Sequence, residues 1–228
     1  MGESSRVLAA GRASEIVALD AERVLRRMRQ PADLSAREAA VMRYARAQAF
    51  PVPQVFEVRA EGLVMEWVRG PTMGADLASH PWRAGAHAKT LADLHRRLHA
   101  IAPPPGAPAR YGDPREGDVL LHGDLHPLNV MLSPQGPVVV DWTNAGRGPA
   151  GLDVADTWLV LAAAEIPGDR WTRLAVGAVR RRLIRRFLAA AGREEAAACL
   201  ERVAGRRAQD PHLSPEERAA MRDLAARE

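Results

Sequence analysis

The side chains best placed to do chemistry stand close together. One run reads Leu121-His122-Gly123-Asp124-Leu125-His126-Pro127-Leu128-Asn129-Val130. Twelve residues past Asn129, three valines lead into Asp141. Asp124, Asn129 and Asp141 are acceptors at the polar ends of apolar stretches, where packing alone would favour hydrophobes. Hard oxygens suit Mg²⁺, which takes one or two carboxylates and fills its shell with water and substrate phosphates. A carboxylate five residues before an amide, on one loop, can accept a hydroxyl proton while the amide holds a metal. Phosphoryl transfer to an alcohol needs that arrangement.

The surrounding pattern predicts what positions these groups. Arg6–Ala10, Glu15–Leu19 and Arg23–Met28 read as three short strands separated by turn residues. Ser35 with Glu38 three residues on reads as a capping box opening a helix that runs to about Gln48. Pro51-Val52-Pro53 ends it, and Val55–Arg59 with Gly62–Trp67 forms a hairpin. Past Gly70-Pro71-Thr72 the chain turns helical. Ala84–Ala100 places Ala88, Leu91, Leu94, His95 and Leu98 on one stripe. The Pro- and Gly-rich stretch 102–118 is a surface loop. Val119–Leu121 and Val138–Val140 form a two-stranded insertion, and from Leu152 on the chain is helical, broken at Gly168, Gly192 and Pro211. The expected fold class is α+β, in two lobes: a small antiparallel sheet with one helix, then a mainly helical part.

Length and composition agree. The 228 residues fit one domain or a small bilobal unit, and 47% hydrophobic with 26% charged is ordinary globular usage. The single cysteine, Cys199, excludes a disulfide scaffold. No apolar run reaches the roughly 18 residues of a membrane span, and the first residues lack a signal core, so a cytoplasmic protein with no membrane partner is expected. Lys89 is the one lysine, and net charge is +4. From Asp169 on, 14 Arg face 9 acidic residues, so the basic character belongs to the C-terminal third. Arg180, Arg181, Arg182, Arg185 and Arg186 read as a solvated face of an amphipathic helix. With no aromatic interleaving, no nucleic-acid partner is expected.

His122–Asn129 resembles the H-G-D-x-x-x-x-N catalytic loop of the aminoglycoside phosphotransferase and choline kinase-like family, which shares the protein kinase-like fold. Asp141-Trp142 is similar to that family's metal aspartate, and Gly148–Ala155 to its G-x-P-x-x-x-D-x-A element. A coarser likeness runs upstream through Val24–Arg27, Glu38 and Met65–Val68. The resemblance implies these roles. Asp124 is the base, or at least the orienter, of the acceptor hydroxyl. Asn129 and Asp141 bind Mg²⁺. His122 and Asp153 support the loop. The main chain from Glu66 to Val68 holds the purine, with Gly11 and Ser14 near the phosphates. It also implies lobes at 1–69, with the nucleotide site and hinge, and 70–228, with the catalytic loop and metal-binding hairpin. The activity implied is transfer of the γ-phosphoryl of ATP, with the choice against GTP left open, to a hydroxyl of a small molecule. Oligomeric state stays open.

Two features depart from the family. Arg26 stands where the nucleotide-binding lysine is expected, and the two are not interchangeable at a phosphate clamp. Ala10–Ser14 carries one glycine rather than a glycine-rich loop. The alternative these allow is a catalytically weak pseudokinase acting as a nucleotide-binding regulatory module. Two residues keep two readings each. His126 either touches the γ-phosphate or is a plain loop residue. Glu38 either completes the capping box or pairs with a cation on the third strand. The basic C-terminal third and Arg147 point to an acceptor that is not a polycationic aminoglycoside.

Overall fold

The computed structural model describes residues 6–10, 14–28, 32–110, 119–165, 168–211 and 213–228. In chain order the elements are β1 (Arg6–Ala10), β2 (Ser14–Ala18), β3 (Arg23–Met28), α1 (Ala32–Ala47), β4 (Val55–Arg59), β5 (Gly62–Glu66), α2 (Met73–Ser79), α3 (Ala84–His99), β6 (Val119–Leu121), β7 (Val130–Ser133), β8 (Gly136–Val139), β9 (Gly146–Gly148), α4 (Ala150–Ala163), α5 (Arg170–Ala191), α6 (Arg193–Ala197), α7 (Leu200–Arg207) and α8 (Pro215–Ala225). This is the α+β class expected. The chain forms two compact units. One is Met1–Gly70 with Met131–Thr143; the other is Pro71–Val130 with Asn144–Glu228. The hairpin that carries Asp141 therefore groups with the sheet, whereas the sequence places it with the helices.

The first unit is built on an antiparallel sheet of order β1-β2-β3-β5-β4. Alternation along the strands sends Val17, Leu25 and Val64 into one buried cluster. Arg26 therefore lies on the opposite face of β3 from Leu25, paired in register with Leu63. The β4–β5 turn requires Gly62 (φ +150°): a Cβ there would lie 1.9 Å from the Arg26 carbonyl oxygen. Helix α1 starts earlier than its capping signal. Ser35 and Glu38 both lie inside it and are buried, and the Ser35 hydroxyl has no partner among the described residues. The capping box does not form, because Glu38 is drawn to Arg26 instead.

In the second unit the core surrounds α4, buried continuously from Gly151 to Leu159. A helix apolar nearly all round belongs at a domain centre. Helix α3 buries the predicted stripe, with His87 added. Helix α5 starts on an Asp169 cap and ends at a left-handed Gly192, and α8 opens with a true capping box, Ser214 with Glu217. The predicted two-stranded insertion is not formed as such. β6 pairs with β9, and β7 with β8. β9 reads Gly-Arg-Gly, with no apolar alternation to announce a strand. Among the described residues, no helix is long and apolar enough to cross a membrane.

Candidate functional site

In the first unit the focus is Arg26, 5% exposed. Its Nη1 donates to Glu38 Oε1. Nη2 donates to Asp141 Oδ1 at 2.6 Å and to the Thr143 hydroxyl at 3.1 Å, and Nε to the Ser14 hydroxyl at 3.3 Å. Of the two roles open to Glu38, the structure shows the cation pairing. Burial pushes the Glu38 carboxyl up against the pull of Arg26. The Trp142 N–H also donates to Glu38, at 3.0 Å. Trp142 is anchored by Phe50, edge-on at 5.7 Å, and by its indole N–H to the Val139 carbonyl.

Asp141 sits at φ +65°, a left-handed conformation that a non-glycine residue adopts at a cost of about 1–3 kcal/mol. Its side chain stays 43% exposed. Oδ1 is held by Arg26 and Thr143, while Oδ2 has no bond among the described residues. Of the expected hinge, the N–H groups of Glu66 and Trp67 are committed to the carbonyls of Gln54 and Glu22. Val68 has no such bond among the described residues. Gly11 lies outside the described residues; Ser14 is the part of that loop that reaches Arg26.

In the second unit, Asp124 and Asn129 meet on one loop. The Asn129 amide nitrogen donates to the Asp124 carbonyl at 2.9 Å and to Asp124 Oδ2 at 3.2 Å, leaving the amide oxygen for another partner. Gly123 makes the turn at φ +73°, where a Cβ would press on the Asn144 carbonyl at 2.6 Å. His126 accepts the Leu128 N–H on Nδ1, and its Nε2 lies 3.5 Å from Asp124 Oδ1. It is thus a partner of the loop carboxylate rather than a bystander.

Helix α4 braces this loop from one face. Asp153, fully buried, accepts the main-chain N–H of His122 at 3.0 Å and of Gly123 at 2.7 Å, with His99 Nε2 at 3.2 Å. Burial works to raise its carboxyl, but His99 and the neighbouring histidines hold it well below the usual carboxylate range. One turn on, the Thr157 hydroxyl lies 2.6 Å from the Leu125 carbonyl. Between them Asp156 binds Arg207, from Nε at 2.8 Å and Nη2 at 2.5 Å, and that Nη2 also donates to Asp124 Oδ1 at 2.5 Å. Burial pushes the Asp156 carboxyl up. For Asp124 burial acts the same way, but His126 and Arg207 outweigh it and hold the group well below its ordinary value.

Sequence reasoning missed Arg207, Thr143 and Thr157, and counted Asp156 among the acids near the loop without giving it a role. For Asp156 and Thr157 a signal exists, since residues three and four after Asp153 share its helix face. For Arg207 there is none: it is one of 14 arginines in a basic tail.

Known proteins place the chain. The phosphotransferase enzyme family matches residues 5–118 and 114–199. No curated protein sequence matches it significantly. Among solved structures, aminoglycoside phosphotransferase APH(4)-Ia is 16% identical over 98% of this chain and 92% of its own, with a TM-score of 0.66. A ternary complex of a thermostable mutant of APH(4)-Ia with AMP-PNP and hygromycin B is 15% identical, at the same coverage and TM-score. ADP-bound APH(2'')-Ib is 13% identical over 98% and 93%, with a TM-score of 0.61. At such identities the structural likeness carries the fold, which is the aminoglycoside phosphotransferase fold. The family match spans most of the chain, so the chain belongs to the phosphotransferase enzyme family.

Proposed function

We propose that this enzyme transfers the γ-phosphoryl group of ATP to a hydroxyl of a small molecule that is not a polycationic aminoglycoside, with Mg²⁺. The observation that carries the reading is the loop itself. Asp124 and Asn129 are hydrogen-bonded to each other, and Asp153 holds the start of their loop through the His122 and Gly123 N–H groups, which fits one residue facing an acceptor and one facing a metal.

The donor types that the family resemblance assigns to Mg²⁺ are chemically suited to it. Taken each in its own unit, Asp141 leaves Oδ2 without a bond among the described residues and Asn129 leaves its amide oxygen, and both are hard ligands. Among the described residues no three His, Cys, Asp or Glu side chains come together as a metal cage. A magnesium ion completed by water and phosphates needs none. When bound, the metal would neutralise charge on the β- and γ-phosphates.

This chain's own residues would do the rest. Asp124, with its carboxyl held low, is a weak base; its role is to orient the acceptor hydroxyl and receive its proton late. Arg26 substitutes for the missing lysine, and Val68 offers main-chain groups to the purine. The lobes of this reading are the sheet unit with its hinge for the nucleotide and the helical unit for the acceptor.

The test is an ATP-consumption screen over hydroxyl-bearing metabolites and antibiotics, run beside thermal shift with ATP in Mg²⁺ and in EDTA. The reading expects an acceptor-dependent rate and a larger shift in Mg²⁺. Equal shifts would remove the metal assignment. Nucleotide binding without turnover on any acceptor would favour the pseudokinase alternative.

A further inference from the structure

We propose that Arg207 is an acceptor-specificity residue: a resident guanidinium that fills the cation position between Asp124 and Asp156, and so excludes acceptors carrying an ammonium beside the reacting hydroxyl. This rests on the reading of Asp124 as the group that meets the acceptor.

Two carboxylates facing one point make a natural ammonium site. Here the point is already taken. Arg207 binds Asp156 with two nitrogens, the fork geometry that gives guanidinium–carboxylate pairs their strength and direction. The same Nη2 reaches Asp124 Oδ1. An ammonium approaching Asp124 meets that oxygen occupied and a like charge in contact with it.

Arg207 also cannot swing aside cheaply. Its side chain is 14% exposed, and that of Asp156 only 1%. Arg207 is the only cation paired with Asp156 among the described residues. Moving it out strands a buried carboxylate, and breaking one partner from a buried pair is far more costly than the pair is worth. Nor is there slack in its anchor, since Val203 and Ala204 on α7 are buried.

A neutral hydroxyl asks less of the site. It needs one acceptor oxygen, and among the described residues Asp124 Oδ2 is engaged only by the Asn129 amide, at 3.2 Å. The arrangement therefore admits the alcohol and turns away the amine, which is discrimination by an occupied site rather than by an added contact.

The experiment measures kanamycin binding, by calorimetry in the presence of Mg²⁺ and AMP-PNP, to wild type, Arg207→Gln, Arg207→Lys and the double variant Arg207→Gln with Asp156→Asn. Wild type and Arg207→Lys should bind kanamycin weakly, because both keep a cation in place. Arg207→Gln should bind it at least 10-fold more tightly, with a gain that fades at high salt. The double variant removes both members of the buried pair, so it folds without a stranded charge. It should keep a smaller gain through Asp124. Thermal shift with Mg²⁺ and ATP is read on the same samples. Loss of that shift in wild type would sink the phosphotransferase reading, and leave the kanamycin series as a separate matter. If the nucleotide shift is intact and kanamycin binds folded wild type and both Gln-containing variants alike, or wild type phosphorylates kanamycin efficiently, Arg207 is displaceable and the proposal is overturned.

Discussion

Each unit carries one arginine that ties a buried carboxylate to a carboxylate of the phosphotransfer motif. Arg26 joins Glu38 to Asp141, and Arg207 joins Asp156 to Asp124. The two clamps differ in what they leave open. Asp141 is 43% exposed and has one oxygen without a partner among the described residues, whereas Asp124 is 19% exposed and has a described partner on each oxygen. In the proposed reading, the first clamp steadies the metal-binding group while keeping it accessible. The second narrows what can reach its group. The difference also explains how an arginine can replace the expected lysine. A planar fork with five donors reaches Glu38, Asp141, Thr143 and Ser14 together, which three ammonium protons could not.

The largest effect should come from separating the two motif carboxylates. Asp124→Asn should lower kcat by ~10³-fold, the scale of a lost proton-accepting group, with nucleotide affinity within a few-fold of wild type. Asp141→Asn should weaken Mg²⁺-dependent nucleotide binding as well. Steady-state kinetics with nucleotide titrations in Mg²⁺ and EDTA separate the two. Matching nucleotide defects in both variants would erase the division of labour between the clamps.

Next come the clamps themselves. Arg26→Ala leaves Glu38 buried without its cation, so unfolding free energy should fall by about 3 kcal/mol. The same change should cost at least ~10-fold in kcat/KM for ATP, or about 1.4 kcal/mol. Arg26→Lys should recover most of the catalysis and less of the stability, because it cannot remake the fork. Urea unfolding beside ATP kinetics reads both. An Arg26→Ala enzyme equal to wild type in both would show that the first clamp is idle.

How much of this was legible follows the same split. The Arg26–Glu38 pair was only half readable: the family likeness brought both residues forward, but the sequence left Glu38 between the Ser35 capping box and a cation on the third strand, and the structure shows the second. The His122–Asn129 loop was readable because its spacing is fixed within one segment. Arg207 was not, because it meets Asp124 from 83 residues away and carries no periodic or compositional mark. Strand β9 escaped for another reason. Gly146-Arg147-Gly148 pairs through its backbone alone, opposite Leu121, Leu120 and Val119. The capping box at Ser35 misled because its two residues are buried helix-interior positions whose acid had a better partner.

A pH lever should act on the helical unit. His95 is fully buried, bonded to the Leu91 carbonyl at 2.9 Å and to the Thr157 hydroxyl at 3.0 Å. Burial pushes its imidazole down to about 4 from 6.5. Between those values the unfolded chain binds a proton that the folded chain does not, so stability should fall as pH drops through that window. The loss is about 3 kcal/mol when complete. Urea unfolding at pH 7 and pH 4.5 should show it, and His95→Gln should flatten the slope. An unchanged slope in His95→Gln would assign the acid sensitivity to other groups.

The smallest effect should be at Ser14, and it tests whether the first clamp depends on the strand that precedes it. The Ser14 hydroxyl accepts from Arg26 Nε at 3.3 Å, the longest of the four side-chain bonds that Arg26 makes among the described residues. Arg26 keeps Glu38, Asp141 and Thr143 when that bond is lost, and a long hydrogen bond at a partly buried site is worth about 0.5 kcal/mol net. Ser14→Ala should therefore change the ATP KM by no more than about two-fold and leave kcat unchanged. Should Ser14→Ala instead raise KM ten-fold, Ser14 touches the nucleotide directly, as the family resemblance implies for that loop, and its bond to Arg26 is incidental.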